Sequence, residues 1–151
     1  MSKKKSKHEK PRSSLSREVQ ASLIRLLAIW QKLLGLSDWK IEVKLVKKKA
    51  LGSDDGYTAH AKVFPDPQSQ QAVVLIVRPE DFEPGDIEGA YNPEFLLVHE
   101  LLHLPLELFS DRTIDNGDYY DGKGMFREQF INRMAGLLIE LSKGQKEDSN
   151  A

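Results

Sequence analysis

The chain has 151 residues, one domain's worth and long enough to bury a real core. It holds no cysteine, which excludes disulfides, thiolate metal ligands and a Cys nucleophile; no run approaches the ~20 apolar residues of a membrane span. The net charge of −1 hides an asymmetry, because residues 1–17 carry seven Lys/Arg and one acidic residue, leaving 15 basic and 22 acidic of the totals of 22 and 23 for the rest.

Residues 1–15, with Lys3, Lys4, Lys5, Lys7, Lys10 and Arg12 set among serines and Pro11, cannot bury anything and are predicted to be a disordered basic arm. Lys3, Lys4, Lys5 and Lys7 offer a weak electrostatic contact for nucleic acid. No aromatic side chain is interleaved to stack on bases, so a solubilising tail is the preferred reading. No apolar stretch of signal-peptide type directly follows, which leads to the expectation of an intracellular, cytoplasmic protein.

From about Ser16 to Leu34, Leu23, Leu26, Leu27, Trp30, Leu33 and Leu34 recur at helical spacing, and Gly35 offers the stop. Trp30 reads as core. Trp39 to Leu45 alternates apolar with charged residues, the mark of a strand with one wet face. Tyr57 to Phe64 alternates again and closes at Pro65-Asp66-Pro67, with His60 expected on the wetter face. Ala72 to Val77 is apolar without interruption and reads as a strand covered on both faces. The short turn before it predicts an antiparallel hairpin with the preceding strand. Residues 80–91, rich in Pro, Gly and acidic side chains, are expected to be a loop.

The chain is organised around the stretch that follows. Asn92 suits an N-cap, Pro93 the first helical position and Glu94 the first turn. From Phe95 to Leu106 every residue is apolar except His99, Glu100 and His103. On a helix His99 and His103 share one face with Glu100 beside them. This is the His-Glu-x-x-His arrangement, in which two imidazoles converge on one zinc and the glutamate acts on a water that the metal activates. Polar groups in so apolar a helix are costly unless something satisfies them. Pro105 predicts that the helix kinks or ends just beyond the second histidine.

Catalytic zinc takes three protein ligands and water. No histidine follows His103, which excludes the metzincin pattern, whose third His would fall at Phe109 and whose Gly would fall at Leu106. It also argues against the SprT-like proteases, and the missing cysteine argues against the metal-dependent deformylases. A carboxylate is left. Glu128 leads, because it opens a second helical pattern, Phe126 to Leu141, in which Glu128, Ile131, Ala135 and Leu138 share one face. The rivals are Asp115 and Asp118 in the segment 111–124. There Thr113-Ile114-Asp115 only partly follows the pattern of the aspartate-ligand zinc proteases, and the spacing is not that of an EF-hand. Tyr119 or Tyr120 would be a candidate donor to a developing oxyanion.

Helix, small sheet, His-Glu-x-x-His helix and a helix bearing Glu128-Gln129-Phe130-Ile131-Asn132-Arg133-Met134-Ala135-Gly136-Leu137-Leu138 together resemble the minimal gluzincins, notably ImmA/IrrE-like and small phage-type metallopeptidases. The resemblance covers roughly residues 16–141 and implies His99, His103 and Glu128 as zinc ligands with Glu100 as general base. The expected fold is α+β and zincin-like: an N-terminal helix, a three-stranded mainly antiparallel sheet, the central motif helix and a C-terminal Glu-bearing helix. The domain spans residues 16–143, with a disordered tail over 144–151. The function it implies is zinc-dependent hydrolysis of a peptide or protein substrate. The alternative is a catalytically silent zinc fold that binds a partner, with a DNA-associated role for the basic arm as a variant of it.

Overall fold

The computed structural model describes residues 12–54, 57–83, 90–109 and 122–148. Residues 1–11 of the basic arm, with all five of its lysines, the 144–151 tail beyond Asp148, and the segment holding Asp115, Asp118, Tyr119 and Tyr120 lie outside the described residues, while residues 12–15 and 144–148, expected to be disordered, are helical. The protein is α+β, with three α-helices and a small three-stranded mixed sheet. Among the described residues no helix is long and apolar enough to cross a membrane.

Helix α1 (Arg12–Leu33) starts four residues earlier than the apolar pattern predicts. Its leucine stripe is buried in part, with Leu26 and Leu34 half-buried and Leu33, at the last turn, exposed. Leu23, Leu27 and Trp30 are buried, and the Trp30 indole N–H donates to Glu94 Oε1 at 2.9 Å, tying α1 to the first turn of the motif helix. Gly35 takes a positive φ of 68°, which an L side chain adopts only at a cost, and so ends the helix cleanly.

Strands β1 (Lys40–Val46), β4 (Ala61–Asp66) and β5 (Gln71–Val77) form the main sheet in the order β1-β5-β4. A separate two-stranded ribbon joins β2 (Ser53–Asp54) to β3 (Tyr57–Thr58). The hairpin β4–β5 is antiparallel as predicted, but β1 runs parallel to β5, so the sheet is mixed rather than mainly antiparallel. The physical reason lies in β5. Its unbroken apolar run is suited to the central position, so the chain crosses over after β1 and inserts β5 between β1 and β4. One face is covered fully, with Ala72, Val74 and Ile76 buried, while Val73 and Leu75 on the other are only half-buried.

The predicted 57–64 strand is broken in two. His60 sits at a bend before β4 and is 5 % exposed, not on a wet face as expected. Its ring packs 4.9 Å from Phe82, which in turn meets Tyr91 edge-on at 5.3 Å, so the segment after β5 folds back over this end of the sheet. Strand β4 also runs on through Pro65. The register explains why: the Val77 N–H donates to the His60 carbonyl, which makes His60, Lys62 and Phe64 the residues bonded to β5. The backbone groups of Ala61, Val63 and Pro65 therefore point away from the sheet, where proline's missing N–H costs no ladder bond.

Helix α2 (Pro93–Phe109) crosses β4 and β5, flanked by α1 on one side and α3 (Gly122–Asp148) on the other. All three helices share the face of the sheet that carries Val43, Val74 and Ile76. Helix α3 packs on α2 through Ile131, Ala135 and Ile139, and it is longer at both ends than the predicted 126–141. Pro105 does not end α2, which continues to Phe109. The proline forfeits one hydrogen bond, to the Leu101 carbonyl. Leu101 and Leu104 are fully buried, and this packing holds the helix where propensity alone would break it.

Candidate metal centre

The helix carrying the motif is set up as its sequence predicts. Asn92 Oδ1 accepts the Phe95 N–H at 3.0 Å, satisfying one of the donors left open at the helix start, and Pro93 occupies the first turn. The next two turns bury Leu97, Val98, Leu101 and Leu104. With those four positions fixed in the core, His99 and His103 are turned toward α3, and Glu100 toward β4.

The two imidazoles meet, with His99 Nε2 3.3 Å from His103 Nε2. Glu128, projecting from α3, closes the third side: its Oε2 lies 3.2 Å from His99 Nε2 and its Oε1 3.5 Å from His103 Nε2. Three donor atoms on a tetrahedral zinc with bonds of about 2.0–2.2 Å are about 3.3–3.5 Å apart. The separation of the two imidazole Nε2 atoms matches that spacing, and Glu128 sets one carboxylate oxygen against each of them. Lone pairs crowded to this degree repel one another unless a cation, a proton or a metal, sits among them, and a His₂Glu set is the chemistry that zinc prefers for a hydrolytic site.

The electrostatics agree. Burial works against a charge on His99, but the hydrogen bond it donates to Glu128 and the neighbouring Glu100 and Glu128 charges outweigh it and raise the imidazole's pKa. The Glu128 carboxyl is held below the usual range, first by the His99 hydrogen bond and then, against its partial burial, by both imidazoles.

Glu100 is different. It is 7 % exposed, and burial pushes its pKa up to about 7; the His99 charge, a hydrogen bond from the Val63 N–H and Lys62 oppose the rise, and Glu128 adds to it. By proximity alone Glu100 belongs to the cluster, since His99, Glu100 and His103 offer donor atoms within 4.8 Å of one another. Contacts separate the roles. Glu128 touches both imidazoles, whereas Glu100 is anchored to the outward-facing backbone of β4, which suits a proton acceptor better than a ligand.

Comparison of the chain with protein-family models, with curated proteins and with solved structures finds no match. The site therefore stands on its own geometry.

Sequence reasoning found all four of these side chains and missed two supporting groups. Asn132 Oδ1 lies 2.9 Å from His99 Nδ1. An amide oxygen only accepts, so Nδ1 carries the hydrogen and Nε2 faces the cluster with the position a metal or proton would take. The signal was present, since Asn132 follows Glu128 by one helical turn on the same face. The second missed group is the Val63 N–H, which is a property of strand register and has no signature in side-chain identity.

Proposed function

We propose that this chain is a zinc-dependent peptidase of minimal gluzincin type, with a zincin-like fold. His99, His103 and Glu128 would hold the metal, Glu100 would serve as general base, and the substrate would be a peptide or protein. The observation that carries this reading is the convergence of the two imidazole Nε2 atoms, 3.3 Å apart, with the two carboxylate oxygens of Glu128, each 3.2–3.5 Å from one of them, and a buried carboxyl of near-neutral pKa beside the cluster. Held by these residues, zinc would supply a water of near-neutral pKa and a Lewis acid for a carbonyl.

The chain's own residues supply the rest. Asn132 fixes the tautomer and tilt of His99. Glu100, held by Val63, accepts a proton from the attacking water and returns it to the leaving amine. The outer edge of β4 runs alongside α2 and directs the backbone groups of Ala61 and the Val63 carbonyl outward, which suits an extended peptide pairing as an added strand with its scissile bond over the histidines, while the Val63 N–H is taken by Glu100.

Metal content by plasma mass spectrometry tests the assignment, using purified wild type, His103→Ala and Glu128→Ala. Near one zinc per chain in the wild type, lost in both variants, is expected. Full-affinity zinc in Glu128→Ala would move the third ligand to Asp115 or Asp118, and no zinc after reconstitution would end the enzyme reading.

A further inference from the structure

The face of α3 that does not touch α2 carries its own apolar pattern. Phe130, Leu137 and Leu141 are 54 %, 58 % and 66 % exposed, and Met134 between them is partly buried. The intervals of four, three and four residues are those of a coiled-coil seam, and the stripe lies about 130° round the helix from Ile131, Ala135 and Ile139. Four apolar side chains in one line on a charged surface are not the scattered exposure of an ordinary solvent face.

The layers of the stripe fill in either direction, but its flanking charges are complementary in one only. In an antiparallel pair of α3 helices, Phe130 stacks against Leu141 of the second copy and Met134 against its Leu137, so every layer is filled with no overhang. The one flank not covered by the protomer's own core carries Arg133 and Glu140, both exposed. Arg133 makes no ion pair among the described residues, and Glu140 bonds Lys143 in the next turn at 2.9 Å. The antiparallel register sets Arg133 of each copy beside Glu140 of the other, twice across the two-fold. A parallel register would set Arg133 against Leu138, with no charge to meet.

From this match of layers and charges we infer that the protein self-associates as an antiparallel dimer through the Phe130–Leu141 stripe of α3. The interface is isologous and closed, so it yields dimers and not fibres. With so few side chains it is a weak dimer, governed by concentration.

Sedimentation velocity and light scattering of the full chain over about 1–200 µM test it, a range in which a weak dimer of this kind titrates. The wild type is expected to shift from monomer to dimer across that range. Leu137→Glu is expected to raise the dissociation constant at least about tenfold, as is Arg133→Glu, and Arg133→Glu/Glu140→Arg should restore association by exchanging the two charges. These side chains are exposed, so far-UV circular dichroism should be unchanged throughout. A wild type that stays monomeric, a dimer indifferent to Leu137→Glu, or a double variant no better than Arg133→Glu would each overturn the proposal.

Discussion

Along β1 the outward-facing backbone is taken up by glutamines of α1, whereas along β4 it is left facing the helix that carries the histidines. The Gln20 carboxamide donates to the Val43 carbonyl and accepts the Leu45 N–H, both at 2.9 Å, acting as a short stand-in for a missing strand. Gln31 does the same for the Trp39 carbonyl just before the strand, also at 2.9 Å. An exposed strand edge invites pairing with another chain, and two side chains blunt this one. The β4 edge is met by Glu100 instead, which accepts the Val63 N–H. A sheet that closes one edge and lends the other to a buried acid separates the structural task from the chemical one.

The sharpest way to break that contrast is through pH. In metal-free protein the Glu100 carboxyl titrates at about 7 against an ordinary 4.5. The folded state holds this proton more tightly, so the stability it contributes is complete below about pH 4.5 and is lost as pH rises through 7. Between pH 5 and 8 the wild type should lose roughly 3 kcal/mol more than Glu100→Gln, as read by urea unfolding. Parallel curves for the two proteins would mean that β4 does not sequester the acid.

Val63→Pro removes the N–H that anchors Glu100 and blocks one pairing position, without touching the ladder to β5. Zinc content should persist while hydrolysis of an unstructured protein such as casein falls about 100-fold. Undiminished turnover would dissociate the β4 edge from catalysis.

Asn132→Leu probes the other support of the site. Loss of the bond to His99 Nδ1 should weaken zinc about 10- to 100-fold in competition with a chelator, with Asn132→Asp retaining most of the affinity. The smallest effect belongs to the closed edge. Gln20→Ala opens the Val43 carbonyl and Leu45 N–H to water, which costs about 1–2 kcal/mol. Metal content and turnover should be unchanged, and dynamic light scattering should report more aggregation.

Much of this was legible beforehand because it is written in local spacing. The stripe from Leu23 to Trp30, the Asn92-Pro93 start, the two histidines one turn apart and Glu128 at the edge of an apolar helix face all follow from a 3.6-residue period. What was not legible depends on contacts between distant segments. The parallel pairing of β1 with β5 is decided by which strand the core covers best, and no turn sequence announces it. His60 looked wet by alternation and is buried because Phe82 folds over it. Pro105 looked like a stop, and its helix continues because Leu101 and Leu104 are locked in the core. The segment with Asp115 and Asp118 lies outside the described residues, so Glu128 is preferred on its contacts with both histidines.

The attachment of α3 mainly through α2 has a consequence for the order of events in folding. Helices α1 and α2 and the main sheet supply most of one continuous core, to which α3 adds Ala135 and Ile139, mainly through its packing on α2. Its amides are therefore the ones expected to exchange through a partial opening that leaves the rest protected. If zinc bridges α2 and α3, hydrogen exchange with and without the metal should differ most over residues 127–142 and least over Val74 to Val77. The ion would then be the clasp that turns two cooperative units into one.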